Sequence, residues 1–321
     1  MPVLERFSAE VDVVISGHTH QPYLCEYRHL NPAKPFLLSS AGHYGTVLTE
    51  VVLTVDTRKR RVADKKARQI IVQGEAIASE RAQVPLQPQF PVFAADKAVG
   101  ELVSFYGKAA EPLAAKSSGV IAASASRALG PAGESVLGRM VADSMLHATR
   151  DAAAGGAQIA FMNSGGVRAD LVPASNSGEV SYGQLYAVLP FGNHLVVQSY
   201  SGAQLRRLLE QQFASGTNTV TQPRILQVSD GFSYAFDLSQ PEGRRIQNMR
   251  LGDMPIENEA IYRVAIQSYL STGGDNFPVF TEGRDAMGGM LDLDALVGYL
   301  SESDFGQPMP LPTRSRIVRV N

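Results

Sequence analysis

Cysteine is almost absent. Cys25 is the single one among 321 residues, which excludes an internal disulfide framework and any cysteine-based zinc site. An excess of charge of one sign is missing too. The 29 Lys and Arg residues face 31 Asp and Glu, a formal net charge of −2, so no global field calls for a nucleic-acid polymer or an anionic membrane. No apolar run approaches the length of a membrane span, and Met1 to Glu10 lack the basic-then-apolar form of a secretory signal. Internal repeats, low-complexity tracts and the nucleophile string G-x-S-x-G are absent as well. What is left is a globular class. A content of 44% apolar residues is ample for a core in each of the two domains that the length suggests.

The most informative segment is Gly17-His18-Thr19-His20, directly after the apolar run Val11 to Ile15. A short buried strand ending in a glycine turn that projects two imidazoles makes a divalent-metal ligand pair. Two histidines do not complete a catalytic centre, and the ten residues before the strand offer only Glu5 and Glu10 as further ligands. His43, in a turn of its own, reads more readily as a packing residue than as a ligand. A second strand is expected over Phe36 to Ser40. After it, the alternation of Val47, Thr49, Val51, Leu53 and Val55 predicts a strand leading into a hairpin. The basic cluster Arg58-Lys59-Arg60-Arg61, continued by Lys65, Lys66 and Arg68, is then a solvated hairpin rather than a binding patch.

A polar, proline-bearing stretch from Gln73 to Pro91 reads as a linker. Ala94 to Ala115 carries Val99, Leu102, Val103, Tyr106 and Ala110 at helical spacing and reads as a connecting helix. From Gly119 onward strands and helices mix: strands at Val120 to Ser124, Gln158 to Met162, His194 to Ser199, Ile225 to Val228, Ser233 to Phe236, Tyr262 to Gln267 and Arg316 to Val320. A helix opens after Gly133-Glu134-Ser135 and is expected to stop at Gly155-Gly156. Two further helix starts carry capping-box spacing, Ser181 with Gln184 and Ser201 with Gln204. The class is α+β.

Three turns carry polar or aromatic groups fit for a nucleotide. Asn163-Ser164-Gly165-Gly166-Val167-Arg168 follows an apolar strand; its paired glycines let backbone amides approach an anion, and Arg168 can clamp a phosphate through two parallel hydrogen bonds. Pro190-Phe191-Gly192-Asn193 could offer a ring and an amide to a base, with Phe191 as a core-filling ring the alternative. Tyr269 to Phe277 adds a second aromatic, a glycine turn and Asp275, which can accept from ribose hydroxyls.

Taken in this order, the motifs resemble the two-domain 5′-nucleotidase family, which joins a calcineurin-like dimetal domain through a long helix to a nucleotide-holding C-terminal domain. The resemblance covers all 321 residues, but ahead of His18 the sequence has none of the family's early D-x-H, G-D and G-N-H-[DE] segments. It therefore implies a chain that begins near the end of the catalytic domain. Residues 1–75 are expected to be the closing strands of the metallophosphoesterase sandwich, 76–116 a linker and connecting helix, and 117–321 the substrate-binding domain of mixed sheets and helices. The resemblance implies that His18 and His20 ligate different ions of a divalent pair, whether zinc, manganese, magnesium or calcium. It assigns Asn163, Gly165, Gly166 and Arg168 to the phosphate and substrate loop, Phe191 and Asn193 to the base-binding turn, Tyr269 to the second stacking aromatic and Asp275 to the ribose. Arg127, upstream of a G-E-S-x-L-G helix entry, is the candidate for a further phosphate contact, with Arg139 as the alternative.

The implied activity is metal-assisted hydrolysis of nucleoside phosphates, with a nucleotide or nucleoside as the small-molecule partner. Rival accounts are a nucleotide-binding fragment or paralogue without turnover, and a truncated reading frame with an unstable first segment. The family implies a periplasmic, envelope or secreted location; the missing export signal implies a cytoplasmic one if Met1 is the true start.

Overall fold

The computed structural model describes residues 3–74, 77–78, 83–174 and 177–321. It divides into two compact units, Met1–Tyr106 and Gly107–Asn321. The linker expected over 73–91 and the boundary expected at 75/76 fall partly outside the described residues.

In the first unit the strand Leu37–Ala41 is the middle of a three-stranded sheet, parallel to Val13–Ile15 and antiparallel to Pro22–Glu26. Its core is small: Tyr27, Phe36 and Leu38, with Leu4, Phe7, Val11, Val14 and Tyr23 packed against them. The first strand is not buried as expected. It lies at the sheet edge, and the period-2 alternation that turns Val14 to the core leaves Ile15 81% exposed. The strands Val47–Asp56 and Arg61–Ile71 form the expected hairpin, whose turn is held by Asp56 Oδ1 accepting from the N–H groups of Arg58 and Lys59. Arg68 pairs with Glu50 at 2.6 Å and Lys65 with Asp12 at 2.9 Å, so part of the basic cluster is neutralised inside the unit.

The helix Lys97–Ala114 runs across the division between the units. Its apolar stripe is uncovered, with Val99, Leu102, Val103 and Tyr106 all exposed.

The second unit is built on a five-stranded sheet in the order 226–228, 159–163, 261–267, 194–201, 284–291. Ile159–Asn163 and Ile261–Gln267 run parallel; every other neighbouring pair is antiparallel. Apart from its exposed edge strand 284–291 the sheet is covered on both faces, and strand alternation makes it so. Ile159, Phe161, Val264 and Ile266 enter one core, with Leu205, Leu208 and Leu209 of the helix Gly202–Glu210. Ala160, Met162 and Ala265 enter the other, with Met140 and Val141 of Val136–Thr149 and Leu296 of Asp292–Leu300. A four-stranded sheet, ordered 254–255, 246–251, 232–236, 317–319, closes the first core.

Several boundaries differ from expectation. The helix after Ser135 ends at Thr149, ahead of a short 3-10 turn over Ala152–Ala154, and Gly155 and Gly156 lie beyond it with φ of 119° and 67°. The strand expected at Val120 to Ser124 is Ser117–Val120. Ile246–Leu251 and Arg284–Leu291 were not expected as strands. The first is broken by Asn248 at φ 49°, opposite a register shift, and the second is an exposed edge strand containing Gly288-Gly289, which needs no apolar alternation.

Both capping boxes form. Ser201 accepts from Gln204 N–H at 3.2 Å while Gln204 Oε1 accepts from Ser201 N–H at 2.8 Å. Ser201→Ala removes a helix cap above a fully buried leucine face, and chemical denaturation is expected to register a loss of about 1 kcal/mol.

Candidate functional site

The parallel pair Ile159–Asn163 and Ile261–Gln267 ends at one edge of the sheet. His194–Ser201 runs the other way and so begins there, while Arg284–Leu291 also ends there. That edge gathers Asn163, Asn193, the helical turn Ser268–Ser271 and Asp275.

Asp275 is the centre of the cluster. Its Oδ2 accepts from Asn163 Nδ2 at 2.7 Å and its Oδ1 from Tyr269 Oη at 3.0 Å. Its own N–H donates to the Tyr269 hydroxyl oxygen at 3.1 Å, and its carbonyl accepts from Asn218 Nδ2 at 2.8 Å. Burial, reinforced by the Asp275 charge, holds the Tyr269 phenol above its ordinary range, so the hydroxyl is a donor at neutral pH. Asn163 is only 7% exposed, and its Oδ1 has no partner among the described residues.

Gly166 is required beside it. A Cβ there would lie 2.5 Å from Met162 Cε and 2.8 Å from Asn163 Oδ1, whereas one on Gly165 would meet nothing closer than 3.9 Å. From this turn the chain reaches Arg168, whose guanidinium donates to the Gly165 carbonyl at 3.2 Å and lies 5.7 Å from the centre of the Phe191 ring. Phe191 and Tyr269 are 57% and 42% exposed, which leaves both rings available to a ligand. Asn163, Gly165, Gly166, Arg168, Phe191, Tyr269 and Asp275 are thus linked in one continuous run of contacts. Arg127 is tied to the same region through its backbone, its N–H donating to Asp170 Oδ1 at 2.7 Å, with its side chain exposed. Arg139 is different: it is buried, and donates to the Pro312 carbonyl at 2.8 Å.

Asn193 is held from beneath by a residue that the sequence did not single out. The Asp292 N–H donates to the Asn193 carbonyl at 2.8 Å, and Asp292 Oδ2 accepts from Gln267 Nε2 at 3.0 Å and, at the limit of 3.5 Å, from Asn193 Nδ2. Ser268 Oγ lies 3.4 Å from Asn193 Oδ1. Asp292, Ser268 and Asn218 carry no local motif; only the closing of the sheet brings them to the edge.

Burial pushes the Asp292 carboxyl from 3.8 up to about 6, against the bonds it accepts. Between about pH 4 and pH 6 the folded chain therefore holds more protons at this group than the unfolded chain, and its contribution to stability falls as pH rises through that window. Asp292→Asn is expected to abolish this slope. Denaturation at pH 4 and pH 7 should find wild type losing on the order of 1–3 kcal/mol relative to the variant.

In the first unit the imidazoles stand on a strained turn. His18 and His20 have φ of 68° and 60°, with Thr19 N–H donating to the Gly17 carbonyl. The His20 ring stacks on His43, centres 5.2 Å apart, and His43 Nδ1 donates to the His20 carbonyl at 3.1 Å. Glu5 is turned to other partners, its carboxylate accepting from Tyr27 Oη at 2.7 Å and Asn31 Nδ2 at 2.9 Å. Among the described residues no three His, Cys, Asp or Glu side chains gather as a metal site. The described donors do not make up the dimetal centre that the resemblance implies.

Residues 110–282 match the family model described as the 5′-nucleotidase C-terminal domain. The chain is 29% identical over 278 residues to the trifunctional nucleotide phosphoesterase protein YfkN of Bacillus subtilis, covering 85% of this chain and 17% of that protein. It is 26% identical to a probable 5′-nucleotidase of Treponema pallidum, covering 90% of this chain and 56% of the relative. The crystal structure of a 5′-nucleotidase precursor from Thermus thermophilus superposes with a TM-score of 0.65 at 27% identity, over 97% of this chain and 60% of that one. The chain thus spans less than two thirds of the length of each of these relatives.

Proposed function

The chain belongs to the 5′-nucleotidase C-terminal domain family, and from that premise we propose that its second unit holds the nucleotide for metal-assisted hydrolysis of a nucleoside phosphate. The observation that carries this reading is the unbroken run from Phe191 through Arg168 and Asn163 to Asp275 and Tyr269. It puts two exposed rings, an arginine and a carboxylate at one sheet edge, the three kinds of group that base, phosphate and ribose each need.

In this proposal Phe191 and Tyr269 stack on the base and Asn193 hydrogen-bonds it. Asp275 accepts from the ribose hydroxyls. Arg168 donates to the phosphate, with the Gly165-Gly166 amides and Arg127 beside it. Binding energy spent on base and ribose then positions the phosphorus. An envelope location for the whole protein is proposed on its likeness to a solved precursor; no helix of the described residues is long and apolar enough to cross a membrane.

Replacing Phe191 or Tyr269 by alanine is expected to weaken adenosine binding by roughly 1–3 kcal/mol, the usual worth of stacking one base. Arg168→Ala is expected to spare adenosine and weaken adenosine monophosphate, because the clamp it removes acts on phosphate alone. Calorimetric titration of both ligands tests the division. Equal losses for both ligands in Arg168→Ala, or no loss in either ring variant, would move the nucleotide site elsewhere.

The incomplete donor set favours a second reading, that this chain by itself binds nucleotides with little turnover. His18 and His20 are then two ligands of a divalent dimetal centre whose remaining ligands are not among the described residues. Purified chain is expected to bind manganese or zinc weakly, less so after His18→Ala, and to release little phosphate from adenosine monophosphate. Chelator-sensitive turnover matching that of a longer family member would overturn this reading.

A further inference from the structure

Asp275 sits at φ 53° and ψ 27°, a left-handed conformation that a residue with a Cβ seldom adopts without local support. Neighbouring side chains supply that support. The Tyr269 hydroxyl both accepts the Asp275 N–H, at 3.1 Å, and donates to Asp275 Oδ1, at 3.0 Å, and so fixes backbone and carboxylate together. Asn163 Nδ2 meets the other carboxylate oxygen at 2.7 Å, and Asn218 Nδ2 holds the carbonyl at 2.8 Å. Gly274 makes room for the clamp, since a Cβ there would lie 2.6 Å from Tyr269 Cε1.

Each oxygen of Asp275 thus has one donor and keeps acceptor capacity for another. Two acceptors on a rigid carboxylate suit two neighbouring hydroxyl groups, which a cis-diol sugar supplies and a dideoxy sugar does not. We propose that the Tyr269 hydroxyl is a positioning group that presets Asp275 to receive a vicinal diol, so that this chain selects ribonucleosides over nucleosides lacking both hydroxyls. Tyr269 then has two separable parts, a ring for the base and a hydroxyl for the sugar site.

This inference rests on the nucleotide-binding reading above and deepens it. Tyr269 is half-exposed and the change to phenylalanine keeps its ring, so the fold survives the substitution. The full chain and its Tyr269→Phe and Tyr269→Ala variants are titrated calorimetrically with adenosine and with 2′,3′-dideoxyadenosine. Wild type is expected to prefer adenosine. Tyr269→Phe should lose about tenfold in adenosine affinity, the scale of one hydrogen bond to a charged group, and nothing in dideoxyadenosine affinity. Tyr269→Ala should weaken both. A Tyr269→Phe chain that binds adenosine as tightly as wild type, or that loses both ligands equally, would overturn the role of the hydroxyl while leaving the nucleotide site intact. A wild-type chain that binds neither ligand would instead overturn the nucleotide reading, and this inference with it.

Discussion

A left-handed backbone is tolerated by aspartate when its short side chain finds local hydrogen bonds, and at Asp275 such bonds arrive from three separate stretches of chain. Asn163 comes from the end of a buried strand, Asn218 from the turn beyond the helix Gly202–Glu210, and Tyr269 from the helical turn after a second buried strand. None of these donors can move without its element moving. The geometry of the carboxylate is therefore set by the sheet, and it depends on the parallel pairing of Ile159–Asn163 with Ile261–Gln267. That pairing brings the ends of both strands to one edge, which is where open α/β-type sheets collect ligand-binding groups.

The same dependence explains why the strand Ile159–Asn163 is buried so completely. Ile159, Ala160, Phe161 and Met162 are all fully buried, two facing each core. A strand anchored on both faces holds its terminal asparagine against displacement in either direction. The same constraint aims the Asn163 amide nitrogen at Asp275, while its Oδ1 has no partner among the described residues. Gly166 is the local condition for it, because any side chain there would enter the space of the Asn163 amide.

How much of this was legible in the sequence follows from how local each feature is. The capping boxes at Ser181 and Ser201 are set by residues three apart, and both form as read. The three turns bearing Arg168, Phe191 and Asp275 could be named because each combines glycines with chemistry-bearing side chains within a few residues. Asp292 and Asn218 could not, since each reaches the edge through pairings dozens of residues distant. Burial was misjudged at the first strand, where tertiary cover decides it. The run Val11 to Ile15 is apolar apart from Asp12, yet an edge strand hides only one of its faces, and the helix read over Ala94 to Ala115 forms as Lys97–Ala114 with its apolar stripe uncovered. Periodicity reports secondary structure; it does not report what packs against it.

The histidine turn shows the limit of a motif in a different way. His18 and His20 both take positive φ, an arrangement that carries backbone strain and that proteins tend to keep where a side chain has to be aimed. Yet a catalytic zinc ion takes three protein ligands, and Glu5, one of the two further candidates in the sequence beside Glu10, serves as the acceptor that ties Tyr27 and Asn31 to the first turn. The strained turns at His18 and at Asp275 are thus unequal. Around Asp275 the strain is surrounded by its own partners and the geometry is complete. Around His18 and His20 the described residues gather no cluster of three His, Cys, Asp or Glu donors, so the metal role proposed for that turn depends on ligands they do not supply.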